Sequence, residues 1–183
     1  MDSNGINETK ILIVCALEIE TQGQLDDWDV IYTGVGKINA TMKLVDRLTD
    51  YNYARPELVI NYGTAGSRKI KKKTLVDCTK FVQRDMDVTG LGFMRGETPF
   101  ENDVPLMLDF GITKHNPIGR RATCGSGDSF VEDRTQYYGE VVDMEAYALA
   151  KVCYRYDIPF VSFKYITDGA DEQAHEDWEA NLA

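Results

Sequence analysis

The chain has 183 residues, of which 43% are hydrophobic and 27% are charged, and its net charge at pH 7 is −10. Such an acidic chain is not expected to bind nucleic-acid phosphates, and no apolar run approaches the roughly 20 residues that span a bilayer. The polar residues 1–9 have no apolar signal core, so we expect a flexible lead, no membrane contact and a cytoplasmic location. A single domain is predicted over residues 10–183, because this length suits one substantial core.

The first third of the chain alternates predicted strands with a helix. The apolar run 10–17 is typical of a strand buried on both faces, and residues 29–33 predict a short second strand. A turn at residues 34–36 is followed by apolar residues at helical spacing over 37–51, which predict a helix.

The middle of the chain begins with another predicted strand. Residues 57–62 form a buried apolar run, closed by a predicted turn of small residues over 63–67. The basic cluster 68–73 is interpreted as a solvated loop, with a phosphate or RNA contact as the alternative. Residues 74–87 then predict β structure, and the Gly- and Pro-rich stretch 88–116 predicts a long loop, which is often functional.

The last third repeats the alternation. Residues 118–124 predict a strand, 144–156 a helix, 159–166 a buried strand and 172–182 a short helix. Strands that alternate with helices predict an α/β fold, here a single three-layer domain with a twisted mixed central sheet flanked by helices. In such sheets ligands bind at the carboxyl ends of strands. Carboxylates occur at two predicted strand ends, because Glu20 follows the first strand and Asp168 follows the last.

Each acidic candidate has a structural alternative. Burial behind an apolar strand would raise the pKa of Asp168 and make it a proton donor, but a helix N-cap is equally compatible with its position. Glu18 and Glu20 are first-turn acids or general bases for a water. Asp143 is best explained by the helix dipole, whereas Glu145 could accept hydrogen bonds from paired hydroxyls.

Other features predict neither a metal nor a cofactor. The four cysteines, each in or beside an apolar run and none in a C-x-x-C pair, are expected to be buried free thiols in a reducing compartment. His115 and His175 are far apart and have no ligand-spaced partners. Phe130 could stack on a base or fill the core. The glycines of 34–36 and 63–66 match no complete phosphate-loop pattern.

Seven short segments, in this order, resemble the purine nucleoside phosphorylase superfamily, and most of all its 5′-methylthioadenosine/S-adenosylhomocysteine nucleosidases. Together they run over nearly the whole chain. The segments are 16–20 (ALEIE), 34–40 (GVGKINA), 61–66 (NYGTAG), 85–89 (DMDVT), 126–130 (SGDSF), 142–146 (VDMEA) and 166–171 (ITDGAD).

The resemblance implies catalytic roles for two residues and a binding and supporting role for a third. Asp168 matches the acid that protonates or hydrogen-bonds N7 of the departing purine. Glu20 matches the carboxylate that orients and deprotonates the attacking water. Thr64 stands where the family commonly has Ser, and its hydroxyl can support the acid or the water.

The resemblance also implies a substrate site for a small-molecule purine nucleoside. Glu145 matches the acceptor of the ribose hydroxyls, and Met144 the residue beneath the sugar. Phe130 matches the aromatic ring that stacks on the base, and Val131 supplies backbone hydrogen bonds to it. The implied activity is hydrolysis of the N-glycosidic bond.

The choice of water over phosphate depends on two segments. Phosphorolytic relatives carry a Gly-Asp-Pro-x-Arg-like turn after the first strand and an Arg before the middle Gly-rich turn, whereas this chain has residues 16–20 (ALEIE) and Asn61-Tyr62. A glutamate near a phosphate is repulsive by roughly 1 kcal/mol or more. A phosphorylase and a non-catalytic nucleoside-binding module remain the alternatives.

The chain also departs from the family pattern. The segment between Glu20 and Gly34 lacks the usual hairpin, and the terminal helix is short, so the pocket is expected to be more open or completed by a second subunit. Family members are commonly homodimers, in which the region 88–100 reaches toward the partner's pocket. The resemblance therefore implies a homodimer and leaves the 5′ substituent open.

Overall fold

The structure is a computed structural model, and it describes residues 10–112 and 114–182. The predicted lead over residues 1–9 lies outside the described residues. The elements are β1 (Ile11–Cys15), β2 (Val30–Tyr32), α1 (Lys37–Thr49), β3 (Leu58–Gly66), β4 (Leu75–Gln83), β5 (Leu108–Asp109), β6 (Ala122–Ser126), β7 (Val141–Asp143), α2 (Ala146–Arg155), β8 (Phe160–Asp168) and α3 (Ala174–Asn181). The α/β class predicted from the sequence is confirmed.

The eight strands form one mixed sheet. Strands β2, β1, β3 and β8 are parallel neighbours, whereas β7 runs antiparallel to β3 and β8 runs antiparallel to β4. Because β8 pairs with both β3 and β4, strands β3, β7, β6, β4 and β8 close into a ring. This closure brings the ends of β3, β7 and β8 together beside the end of β1.

The core is apolar and lies between the sheet and the helices α1 and α2, which also contact each other. Phe81, Phe110 and Phe160 contribute mutually edge-on or tilted rings to it. The four cysteines are buried and free, as the sequence predicted. None of the helices in the described ranges has both the length and the apolar composition of a membrane span.

The small-residue segment 63–67 differs from its prediction as a turn. Strand β3 continues through Gly63, Thr64 and Ala65 to Gly66, and these residues pair with β8. The backbone of this segment is therefore engaged with a neighbouring strand and does not form a ligand-binding turn. The prediction was wrong because glycines interrupt the apolar pattern, although the neighbouring strand still provides backbone partners.

The structure changes the bounds of one predicted strand and decides between the two interpretations of Asp168. The strand predicted at 118–124 begins only at Ala122, because Gly119 and Arg121 adopt positive φ angles that break an extended chain. Asp168 does not cap a helix, since it ends β8 and α3 begins only at Ala174. The basic cluster 68–73 lies in the connection between β3 and β4, as expected.

Candidate active site

One cleft, with about 230 Å³ of space, lies at the strand ends. It is lined by every residue that the sequence analysis proposed for the site. These residues are Glu20, Thr64, Phe130, Val131, Met144, Glu145 and Asp168. The closed sheet therefore brings together side chains that are up to 148 positions apart in the chain.

Asp168 is buried at the end of β8, where its carboxyl group is held from two sides. The backbone N–H of Ala170 donates to Oδ1 at 2.9 Å, and the Thr167 hydroxyl donates to Oδ2 at 2.9 Å. Burial raises the pKa of Asp168, and the two hydrogen bonds only partly offset that effect. A side chain at Gly66 would collide with this carboxyl group, so the glycine in β3 makes room for the acid.

Glu20 ends a short 3-10 turn over Glu18–Glu20 that follows β1. Its Oε1 accepts hydrogen bonds at 2.8 Å from both the backbone N–H and the hydroxyl of Thr64, and its Oε2 accepts one at 3.1 Å from the N–H of Leu17. These contacts fix the carboxylate at the wall of the cleft. Glu18 is exposed and does not line the cleft, so the first-turn interpretation applies to it.

Glu145 follows β7 and faces the loop before α1. Its Oε1 accepts a hydrogen bond at 2.9 Å from the N–H of Gly36, a residue with φ of 96°. Burial, together with the nearby charge of Asp143, raises the pKa of Glu145 to about 7. The glycine-rich turn at 34–36 thus contributes a backbone donor to the site through the left-handed conformation that glycine permits.

Beneath the cleft lies a buried ion pair that the sequence analysis missed. Lys164 Nζ in β8 lies 2.8 Å from Asp143 Oδ2 in β7, and both side chains are almost completely buried. Burial alone would raise the pKa of Asp143 and lower that of Lys164. Each partner reverses this effect, so the pKa of Asp143 falls and that of Lys164 rises.

Asp143 has structural duties besides this pair. Its Oδ2 accepts a hydrogen bond at 2.9 Å from the N–H of Ala146, the first residue of α2, and its Oδ1 accepts one from the Ser126 hydroxyl. Asp143 thus accepts from the first N–H of α2, but it lies before the first turn of that helix and is paired with Lys164, which the helix-dipole interpretation from the sequence did not include. The sequence does contain an indication of this pair. Lys164 is the single cation in the apolar run 159–166, and a lysine is rarely buried without a partner.

Phe130 is partly exposed in the cleft wall and does not fill the core. Its ring meets the imidazole of His175 edge-on, with 6.4 Å between the ring centroids. Met144 lines the cleft next to Glu145, and Val131 lies buried beside Phe130. The cleft therefore combines an aromatic and apolar wall with carboxyl groups.

The cations near the cleft have protein partners, although the buried Nε of Arg84, which lines the cleft, has none among the described residues. The Arg84 guanidinium donates to the carbonyl oxygens of Gly127 and Ser129, and Lys164 is paired with Asp143. Lys37 lies 2.7 Å from Asp85. No cluster of three or more His, Cys, Asp or Glu side chains arranged to hold a metal ion occurs in the described ranges 10–112 and 114–182.

Residues 21–183 match the family model of the phosphorylase superfamily. A 5′-methylthioadenosine/S-adenosylhomocysteine nucleosidase of Haemophilus influenzae (strain PittEE) is 32% identical over 88% of this chain and 77% of its own length. The nucleosidase of the same name from an Exiguobacterium species is also 32% identical, over 84% of this chain and 73% of its own length. The chain belongs to the phosphorylase superfamily and, within it, to the 5′-methylthioadenosine/S-adenosylhomocysteine nucleosidase family.

Solved structures share the fold. The nucleosidase of this name from Helicobacter pylori, crystallised with a substituted pyrrolidin-3-ol, aligns with a TM-score of 0.81 at 21% identity, over 95% of this chain and 91% of its own. The futalosine hydrolase of H. pylori strain 26695 aligns with a TM-score of 0.79 at 21% identity and the same coverage of both chains. The resemblance stated from the seven segments is thus confirmed.

Proposed function

We propose that this protein hydrolyses the N-glycosidic bond of an adenine nucleoside such as 5′-methylthioadenosine or S-adenosylhomocysteine and releases adenine. The proposal rests above all on the convergence of Glu20, Glu145 and Asp168 around one cleft. The names of the sequence relatives support the substrate class.

Asp168 assists departure of the base. Adenine is a poor leaving group as an anion and a good one when N7 is protonated, and the raised pKa of Asp168 favours the protonated carboxyl group that can donate to N7. General acid catalysis of this kind typically contributes about 10² to 10⁴ in rate.

The aromatic and acidic walls hold the two halves of the nucleoside. Phe130 stacks on the base and the backbone of Val131 hydrogen-bonds to it. Glu145 accepts the ribose hydroxyls and Met144 packs beneath the sugar. The carboxylates also favour the positive charge that develops on the ribosyl ring in the transition state.

Glu20 activates the attacking water, with Thr64 fixing its carboxylate. Water is favoured over phosphate as the nucleophile because Arg84 and Lys164 are bound to protein groups, and because Glu20 itself would repel an anion.

The deciding experiment measures the free purine base released in phosphate-free buffer and in added phosphate. The substrate panel contains 5′-methylthioadenosine, S-adenosylhomocysteine, adenosine, inosine and futalosine. Release without phosphate from at least one adenine nucleoside supports the proposal. Strict dependence on phosphate would establish the phosphorylase alternative, and adenine binding without turnover of any nucleoside would establish the non-catalytic one.

Two copies of the chain associate through α1 and α2. Ile38 and Met42 on α1 are 72% and 61% exposed, although they continue the apolar stripe that contacts the core. They border an apolar groove that extends to Tyr147 and Val152 on α2. Exposed apolar patches of this kind mark protein interfaces, and a second copy is the partner that the family resemblance implies.

The buried thiols fit a reducing cytoplasm.

A further inference from the structure

A chain of two hydrogen bonds connects α3 with Glu20. The indole N–H of Trp178 donates to the Thr64 hydroxyl oxygen at 3.0 Å, and this oxygen lies 2.8 Å from Glu20 Oε1. Trp178 also lines the cleft. None of the roles described above uses this side chain.

The chemistry of the donors gives the chain one direction. An indole N–H can only donate, and a hydroxyl has a single proton. Since the Thr64 oxygen accepts from Trp178, its own proton is directed to Glu20 Oε1. The N–H of Thr64 donates to the same oxygen, so Oε1 has two donors. Among the described residues, Oε2 accepts only from the N–H of Leu17 and keeps a lone pair for another donor.

We infer that Trp178 is a positioning residue for the hydrolytic reaction. It orients the Thr64 hydroxyl, which holds Glu20 Oε1 and leaves Oε2 free to accept a proton from the attacking water. This inference rests on the proposed function, because it assigns the water to Glu20.

Two contacts with other parts of the fold fix the position of α3 and of the Trp178 indole. Lys72, in the connection between β3 and β4, forms an ion pair with Asp177 beside Trp178. The Asn181 amide donates to the backbone oxygen of Thr167 in β8 at 2.8 Å. These contacts hold one end of the hydrogen-bond chain against the strand that carries Asp168.

The first test compares Trp178→Phe with Trp28→Phe. The first substitution keeps an aromatic ring in the cleft wall but removes the N–H donor, and the second removes the other indole, which is 54% exposed and away from the cleft. Loss of one such hydrogen bond should lower kcat about 3- to 10-fold. We expect KM to change less than about 2-fold and Trp28→Phe to leave both constants unchanged. An unchanged kcat in Trp178→Phe, with the wild type active, would overturn the inference alone.

A double-mutant cycle separates positioning from a merely structural role. In a Thr64→Val background, which lacks the hydroxyl, Trp178→Phe should cause no further loss of kcat. In a Thr64→Ser background, which keeps the hydroxyl, the loss should reappear. Equal losses in all three backgrounds would show that the indole acts independently of Thr64 and would contradict the proposed chain.

The contact itself can be tested without turnover. In ¹⁵N-labelled protein carrying Trp28→Phe, the single indole N–H signal belongs to Trp178. Thr64→Val should shift this signal and speed its hydrogen exchange, whereas the exposed Lys69→Met should not. A signal unaffected by Thr64→Val would refute the contact. Wild-type protein that releases no adenine would instead refute the proposed function and the positioning role with it.

Discussion

At the residue scale, the carboxyl groups at the cleft have different pKa values because their surroundings differ. Burial raises the pKa of Asp168 and brings that of Glu145 to about 7, whereas the Lys164 ammonium lowers the pKa of Asp143. Groups whose environments move their pKa values apart are typical of acid–base sites. The Lys164 ammonium thus favours the charged form of Asp143, whereas burial favours the protonated forms of Asp168 and Glu145.

The role of Asp168 can be tested by substitution with asparagine. Asp168→Asn removes the acidic proton and should lower kcat at least about 100-fold while the protein stays folded. Adenine release and thermal melting measure the two effects. Asp133→Asn is the control, since this exposed carboxylate also accepts a backbone N–H but lies outside the cleft. In the wild type, kcat should fall as the pH rises through the raised pKa of Asp168. If Asp168→Asn instead unfolded the protein and left its specific activity unchanged, the role of Asp168 would be structural.

Glu145 should make stability depend on pH. Its pKa is about 7 in the folded protein against an ordinary 4.5, so its contribution is complete below pH 4.5 and is lost as the pH rises through 7. The free energy of unfolding of the wild type, relative to Glu145→Gln, should fall by about 2 kcal/mol between pH 5 and pH 8. Urea denaturation at both pH values measures it, with the exposed Glu132→Gln as control. A difference that is constant with pH would contradict the shift.

At the element scale, β3 and β8 form the floor of the site. Lys164 is paired in register with Gly63, and Asp168 with Gly66, on the two sides of a register shift in which Thr167 of β8 is the extra residue. A Cβ atom at Gly63 would lie 3.5 Å from Lys164 Nζ and 3.1 Å from Glu20 Oε1. Each charged side chain of β8 thus has a glycine opposite it, which leaves the space that the charge occupies.

The buried ion pair between β7 and β8 should be costly to break. Lys164→Met leaves Asp143 charged and buried without its cation, which is expected to cost about 3 to 5 kcal/mol in the free energy of unfolding. Lys69→Met makes the same exchange at an exposed position and should change stability by less than about 0.5 kcal/mol. A loss below about 1 kcal/mol for Lys164→Met would show that the pair contributes little.

The glycine opposite the acid offers a second test of this floor. Gly66→Ala places a methyl group where the Asp168 carboxyl group lies and within 3.2 Å of the Ala170 side chain. We expect a loss of about 1 to 3 kcal/mol in stability and a fall of at least 10-fold in kcat, because the acid must move. Gly90→Ala, which meets no atom within 4 Å, is the control. Equal kcat values for the two variants would contradict this account.

At the scale of the whole molecule, closure of the sheet explains why the site lies where it does. Strand β8 comes last in the chain but pairs with β3 and β4, and this places Asp168 beside groups from the ends of β1 and β7. The outer face of α1 lies away from this floor. Its exposed apolar residues support the proposed association of two copies.

The proposed dimer can be tested on α1. Met42→Glu places a charge in the apolar groove and should weaken association at least about 10-fold, since burying an unpaired charge is costly. Sedimentation over a range of concentrations measures the dissociation constant. Lys43→Glu, at the next and exposed position of the same helix, should leave association unchanged. Monomeric wild-type protein at high concentration would contradict the dimer.

The sequence, with the family resemblance that it carries, predicted the α/β class, the main strands and helices, and seven of the residues that line the cleft. Strands β1 and β8 are apolar runs, and the helical spacing of α1 is local, so neighbouring residues suffice to predict them. The placement of acids after strands predicted the position of Glu20 and Asp168 because parallel strands share one edge.

Only the tertiary structure decided which groups each of these residues meets. The Lys164–Asp143 pair, the Gly36 donor to Glu145 and the Trp178 donor to Thr64 join positions 21, 109 and 114 residues apart, respectively. Local periodicity contains no information on such contacts. The same applies to residues 63–66, whose backbone partners lie in the distant strand β8. This pairing makes the segment a strand, although its local sequence predicts a turn. The sequence thus predicted the chemical groups, and closure of the sheet set their contacts and protonation.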